Sequence, residues 1–236
     1  MARGRDVAEL CEKIKYNFKT PELLECALTH SSYSNEMRQR TVDVPSNERL
    51  EFLGDSVLQL VISEYLYDNY KNFREGALTQ MRQKLVCEKT LARIGADIVL
   101  GKYLNIGHGD EISGLRKRPK VIADAMEALI AAVYLDSHSD SASYKSVIVS
   151  LFKGEISKLF DADRLDYKTM LQQFAEQEGT AILEYRTVSE DGPEHDKSFT
   201  VCAYINNNEV GRATAGTKKD AEMRCARIAL ELFGVI

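Results

Sequence analysis

Apolar residues recur at helical spacing through most of the first 160 positions, and alternation at every second residue is nearly absent there. The pattern predicts helices over residues 7–17, 21–29, 48–70, 77–96, 119–135 and 144–160. Near residue 165 the period changes. A helix over 166–176 sets Met170, Leu171, Phe174 and Ala175 on one face, with Gly179 as a stop signal. Strand-like runs follow at 182–188 and 198–205, separated by the turn-forming Glu190-Asp191-Gly192-Pro193. Asn206-Asn207-Asn208 signals a second turn, residues 209–215 a third strand, and 218–233 a return to helix. The chain therefore reads as an all-α domain over 1–160, a linker at 161–164 and a small α+β domain over 165–236.

Two of the predicted helices carry unusual chemistry. At about 100° per residue, Glu48, Glu51 and Asp55 fall within about 60° of one another, while Leu50, Leu53, Val57, Leu60 and Val61 gather opposite. Like charges at i,i+3 and i,i+4 destabilise a helix, so the acids call for a compensating cation. A hard divalent ion is one candidate; a plain solvated acidic face is the alternative. Residues 121–135 read as a helix that is apolar nearly all round and hence buried, interrupted by Asp124 and Glu127 one turn apart. Buried carboxylates need a partner, a metal or a raised pKa. Within 121–135 neither acid has a Lys or Arg at i±3 or i±4, which leaves pairing from elsewhere or convergence of both helices on one metal. Phe52 lies on the wheel beside the acids, where it either folds inward or packs against something outside the chain.

Composition narrows the classes. With 44% hydrophobic and 28% charged residues, 236 positions suit two modest domains, and four prolines argue against long disorder. No apolar run of about 18 residues occurs, and Met-Ala-Arg-Gly-Arg-Asp is not a secretory start, so no membrane partner is expected. Five scattered cysteines without CxxC spacing favour a reducing, cytoplasmic setting over disulfides or zinc. The formal net charge of −5 runs against nucleic-acid binding, and residues 166–236 hold eight Lys and Arg against twelve Asp and Glu. Local charge matters more. Lys218, Lys219, Arg224 and Arg227 concentrate on one end and face of the last helix, and a basic run, Leu115-Arg116-Lys117-Arg118-Pro119-Lys120, precedes the Asp124 helix. That run is either a solvated loop or a phosphate contact.

The run Glu48-Arg49-Leu50-Glu51-Phe52-Leu53-Gly54-Asp55-Ser56 resembles the signature of bacterial ribonuclease III without a mismatch. Leu28-Thr29-His30-Ser31-Ser32-Tyr33 and Ala123-Asp124-Ala125-Met126-Glu127-Ala128-Leu129 also match, in the family's order, and the C-terminal pattern resembles a double-stranded-RNA-binding domain. The resemblance implies a homodimeric endoribonuclease for double-stranded RNA that processes ribosomal precursors and other structured transcripts, without an organic cofactor. It implies catalysis with Mg2+, for which Mn2+ substitutes, at Glu51, Asp55, Asp124 and Glu127, with Asp55 and Glu127 central and Glu48 and Glu75 supporting. Products would carry 5′ phosphate and 3′ hydroxyl ends. Phe52 would fit the partner subunit, and His30 would serve structure rather than chemistry. Lys218, Lys219, His195, Lys197, Thr169 and Gln172 match RNA-contacting positions. Three residues depart from the pattern: Glu176 in place of Gln, and Ala213 and Ala215 in place of glycines.

Overall fold

A computed structural model describes residues 7–71, 73–137, 140–160, 167–177, 182–193 and 197–235. It divides into two compact units, Met1–Asn69 with Thr79–Ile156, and Tyr70–Leu78 with Ser157–Ile236. The linker at 161–164, Gly179 and His195 lie outside the described residues.

Up to residue 160 the described chain is helical. In chain order come α1 (Ala8–Ile14), α2 (Pro21–Ala27), α3 (Ser31–Gln39), α4 (Glu48–Asn69), α5 (Glu75–Val86), α6 (Glu88–Asp97), α7 (His108–Ile112), α8 (Pro119–Asp136) and α9 (Ser141–Phe160). At the centre is α8, which packs against α4, α6 and α2. Ala128, Ala131 and Ala132 make that possible, since small side chains let neighbouring backbones approach; with Ala27 and Leu50 they form a fully buried cluster.

Three features differ from the sequence pattern. Residues 77–96 form two helices, because Cys87 is extended (φ −75, ψ 154) and caps the start of α6. The polar α3 was not foreseen from periodicity; the His30 ring caps it by accepting from the Ser32 N–H at 3.1 Å. The third concerns α4, which buries Leu50, Gly54, Val57, Leu58, Val61, Ile62 and Leu66. This arc is centred near Gly54, about 70° around the wheel from the predicted one, toward the acids. The rotation leaves Leu60 62% exposed and draws Glu51 and Asp55 partly inward.

The second unit contains α10 (Tyr167–Gln177), then β1 (Leu183–Asp191), β2 (Ser198–Ile205) and β3 (Asn208–Ala215) in an antiparallel sheet of order β1-β2-β3, then α11 (Lys218–Leu232). Thr187 pairs with Val201 but Ser189 pairs with Thr200, so Val188 bulges and β1 runs on to Asp191, past the predicted start of the turn. Helix α11 covers β2 and β3 and packs on α10. Val201, Ala203, Ala221, Cys225, Ala226, Ala229 and Leu230 are buried between them. Gly211 is required for this closeness: a Cβ there would lie 2.5 Å from the Cys225 carbonyl oxygen.

Candidate functional site

The close crossing of α4 and α8 builds the acid site. A Cβ on Gly54 would sit 1.8 Å from the Glu127 carbonyl oxygen, so only glycine lets the two backbones touch there. Glu51 and Asp55 flank Gly54 by three residues and one, and Asp124 and Glu127 stand opposite on α8. All four are partly buried, at the rim of the contact. Burial, followed by the charges of Asp55, Glu51 and Asp124, pushes the Glu127 carboxyl up to about 7. Glu51 is also raised, by burial first and then by Asp124. Glu48 is exposed one turn earlier, accepts from the Ser46 hydroxyl at 3.0 Å and adds a smaller push to Glu51. Glu75 is exposed as the first residue of α5.

Two of the acids already have partners. The Gln59 amide donates to both Asp55 oxygens, at 2.9 and 3.0 Å. Lys120 pairs with Asp124 at 3.2 Å, and its charge offsets part of the rise at Glu51 and Glu127. The expectation that neither acid of the second helix has a basic neighbour at i±4 is thus corrected: α8 begins at Pro119, as the pattern predicts, and so includes Lys120, which precedes the run 121–135 over which the acids were weighed. As placed, no three His, Cys, Asp or Glu side chains among the described residues stand close enough to hold a metal. The donor set is nonetheless all oxygen, mutually repelling and partly desolvated, which suits a hard divalent ion.

Elsewhere on this unit, Phe52 is 80% exposed, so it does not fold into its own core. Leu60 and Tyr67, 62% and 73% exposed, share its face of α4. His30 makes a cap and a 2.9 Å contact with the Ser32 hydroxyl, in keeping with a structural role. Within the basic run, Arg116 is structural: it donates to the Gly101 and Leu104 carbonyls and pairs with Glu111. Lys117, Arg118 and Lys120 are exposed.

On the second unit, Lys218 and Lys219 are exposed as the first two residues of α11. Thr217 caps that helix by accepting from the Asp220 N–H at 3.1 Å. A helix N-terminus carries partial positive charge, to which the two ammonium groups add. Lys218 pairs with Glu190 at the end of β1 and lies 5.3 Å from the Phe199 ring centre. Thr169 and Gln172 are exposed one turn apart on α10, and Gln172 donates to Glu176 at 2.8 Å. Lys197 is exposed just before β2. Ala215 is buried and Ala213 partly so.

Sequence reasoning missed the part played by Gly54, although it lies within the quoted signature, and it missed Gln59 and Lys120. Lys120 lies inside the predicted helix over 119–135, at i−4 from Asp124, and was missed because the acids were weighed only over 121–135. The contact made by Gly54 shows only once α8 is in place.

A helical unit gathering carboxylates where two helices touch, followed by an α-β-β-β-α unit with lysines at a helix start, defines the class: a nuclease-type domain joined to a double-stranded-RNA-binding domain. Family comparison agrees unit by unit, with a ribonuclease-III-like model matching residues 20–153 and a double-stranded RNA binding motif matching 167–232. Ribonuclease 3 of Natranaerobius thermophilus is 44% identical over 227 residues, spanning 96% of each chain. Ribonuclease 3 of Caldanaerobacter subterraneus subsp. tengcongensis is 45% identical, over 95% of this chain and 97% of that one. A solved nuclease domain of ribonuclease III from Campylobacter jejuni, described as flexible in a region involved in dimer formation, superposes with a TM-score of 0.55. It is 34% identical and covers 63% of this chain and 97% of its own. The chain belongs to the ribonuclease III family.

Proposed function

We propose that the protein hydrolyses phosphodiester bonds in double-stranded RNA, leaving 5′ phosphate and 3′ hydroxyl ends, in the processing of ribosomal precursors and other structured transcripts. Family membership supports the coarse activity, endonucleolytic cleavage of double-stranded RNA. The finer chemistry rests on one observation: Gly54 lets α4 and α8 touch, and four carboxylates crowd that contact with Glu127 raised to about 7. Glu51, Asp55, Asp124 and Glu127 would hold Mg2+, with Mn2+ able to substitute. When bound, the metal supplies a water of lowered pKa and a counter-charge for the leaving 3′ oxygen.

The chain's own residues do the rest. On loading, Glu127 would give up its proton, Asp55 its contact with Gln59 and Asp124 its contact with Lys120. Glu48 adds negative charge one turn away, and Glu75 is assigned a supporting place. Lys117 and Arg118, exposed where α8 begins, offer cations to the phosphate backbone. Lys218, Lys219, Thr169, Gln172, His195 and Lys197 engage the duplex by shape and phosphate contact.

The exposed face of α4 bearing Phe52, Leu60 and Tyr67 extends over about 22 Å at 1.5 Å per residue and meets the same face of a second copy. The relative from Campylobacter jejuni, with its region involved in dimer formation, supports that reading. Phe52→Ala should shift sedimentation toward monomer by about tenfold in dissociation constant. A wild type that sediments as a monomer at working concentration would remove the interface.

The activity is tested by offering a perfect duplex and its separate strands, with and without Mg2+. Cleavage of the duplex alone, abolished by chelation and restored by Mg2+ or Mn2+, is expected. Undiminished cleavage after exhaustive chelation would end the metal reading.

A further inference from the structure

Among the described residues, Lys120 is the cation paired directly with an acid of the site. It lies one turn before Asp124 on α8, 3.3 Å from one carboxylate oxygen and 3.2 Å from the other. Its side chain is 71% exposed and that of Asp124 is 27% exposed, so the pair is open to exchange with ions from solvent. A carboxylate oxygen engaged by an ammonium group has fewer lone pairs to offer a metal. We propose that Lys120 is the resident counter-cation of the site: it occupies Asp124 in the metal-free protein, and a divalent ion must displace it to gain that ligand. The inference rests on the assignment of Asp124 as a metal ligand and adds what sets the metal concentration at which the site fills.

Two consequences distinguish this exchange from a general effect of charge. Removing the ammonium frees Asp124, so metal affinity rises. The gain must also depend on Asp124, because that is the group released. Exposed ion pairs of this kind are weak, so the expected change is about two- to fivefold and not more. The long, flexible stem of lysine lets the ammonium swing into solvent once displaced.

The test measures Mn2+ binding to the full chain without RNA, by calorimetry or by loss of the free-ion electron paramagnetic resonance signal. Lys120→Met keeps the length of the stem and removes the charge; it should bind Mn2+ about threefold more tightly than wild type. Lys117→Met, in the same exposed basic run, serves as the control and should change affinity less than half as much. In an Asp124→Asn background the Lys120→Met gain should vanish. No gain in the wild-type background, or an equal gain with Asp124→Asn, overturns the exchange. Failure of the underlying site is a separate result: the wild type would then bind no Mn2+, and Glu127→Gln would leave that unchanged.

Discussion

The two units hold charge in opposite ways. On the first, carboxylates crowd a helix contact and Lys120 pairs with one of them. On the second, two lysines open a helix, and Glu190 pairs with Lys218. The difference is burial. Glu127 is partly desolvated among three other acids, and its raised pKa is a cost the fold carries until a cation arrives. Lys218 and Lys219 sit in water on a helix end that needs no such strain. Chemistry at phosphorus requires charge held in a fixed, desolvated place, whereas grip on a phosphate backbone requires only local excess. This also bears on the net charge of −5: the acids that lower it belong partly to the site proposed to hold a divalent ion, which would reverse the field there.

The largest effect that would break this comparison falls on Glu127. Glu127→Gln keeps the shape and removes the charge, so single-turnover cleavage should drop by about a thousandfold at saturating RNA. Duplex affinity should stay near that of wild type, because the second unit is untouched. The metal-free protein should behave in the reverse sense. A carboxyl raised from 4.5 to about 7 favours folding fully below about pH 4.5, and that contribution is lost as pH climbs through about 7. Above pH 7 without metal, Glu127→Gln should therefore melt higher than wild type, by about 2–4 °C after allowance for solvent screening. A variant that melts lower and cuts normally would make Glu127 a structural acid.

Gly54 comes next. Gly54→Ala places a methyl against the Glu127 carbonyl, and the two helices must part or shift. Overpacking of this kind costs about 1–3 kcal/mol, read as a lower denaturant midpoint, and it should lower cleavage more than binding. Gly76→Ala, on α5 where a Cβ meets nothing within 4 Å, is the matching control. Equal effects from both substitutions would show that the helix contact does not set the site.

Much of this was legible in the sequence. The change of period near residue 165 and the strands follow from spacing, because periodicity reports which residues share a face. Spacing also put Glu48, Glu51 and Asp55 together and singled out Asp124 and Glu127, but the set of four came from the resemblance. What spacing could not give was the rotation of that face. Leu60 looked like core and is exposed, since the buried arc of α4 is fixed by where α8 presses on Gly54. The break at Cys87 was hidden because both flanking segments are good helix formers and only the extended backbone of one residue separates them. Helix α3 buries only Ser34, so it carries no apolar stripe to read. The bulge at Val188 is a matter of register, which depends on the partner strand.

On the second unit the effects should be smaller and graded by salt. Lys218→Ala with Lys219→Ala should weaken duplex binding by about tenfold at 0.15 M salt and lower the slope of log affinity against log salt by about one to two. Cleavage at low salt and high enzyme should persist, since the acids remain. An unchanged slope would move the phosphate-binding surface away from the start of α11.

The smallest effect tests the symmetry itself. Lys218 holds the Glu190 carboxyl below the usual carboxylate range, chiefly through their direct contact. Glu190 thus engages the ammonium that is proposed to meet a phosphate, much as Lys120 engages Asp124. Glu190→Gln leaves an amide of the same size at the end of β1 and removes the competing charge. Duplex binding at low salt should tighten by about two- to fivefold, and the gain should fade as salt screens the pair. A second role is also testable in the same titration. If Glu190 instead orients Lys218 toward the groove, the substitution should weaken binding at every salt concentration. Tightening that fades with salt keeps Glu190 as the mirror image of Lys120; weakening throughout makes it part of the RNA-binding surface, and the two units would then differ in kind as well as in sign.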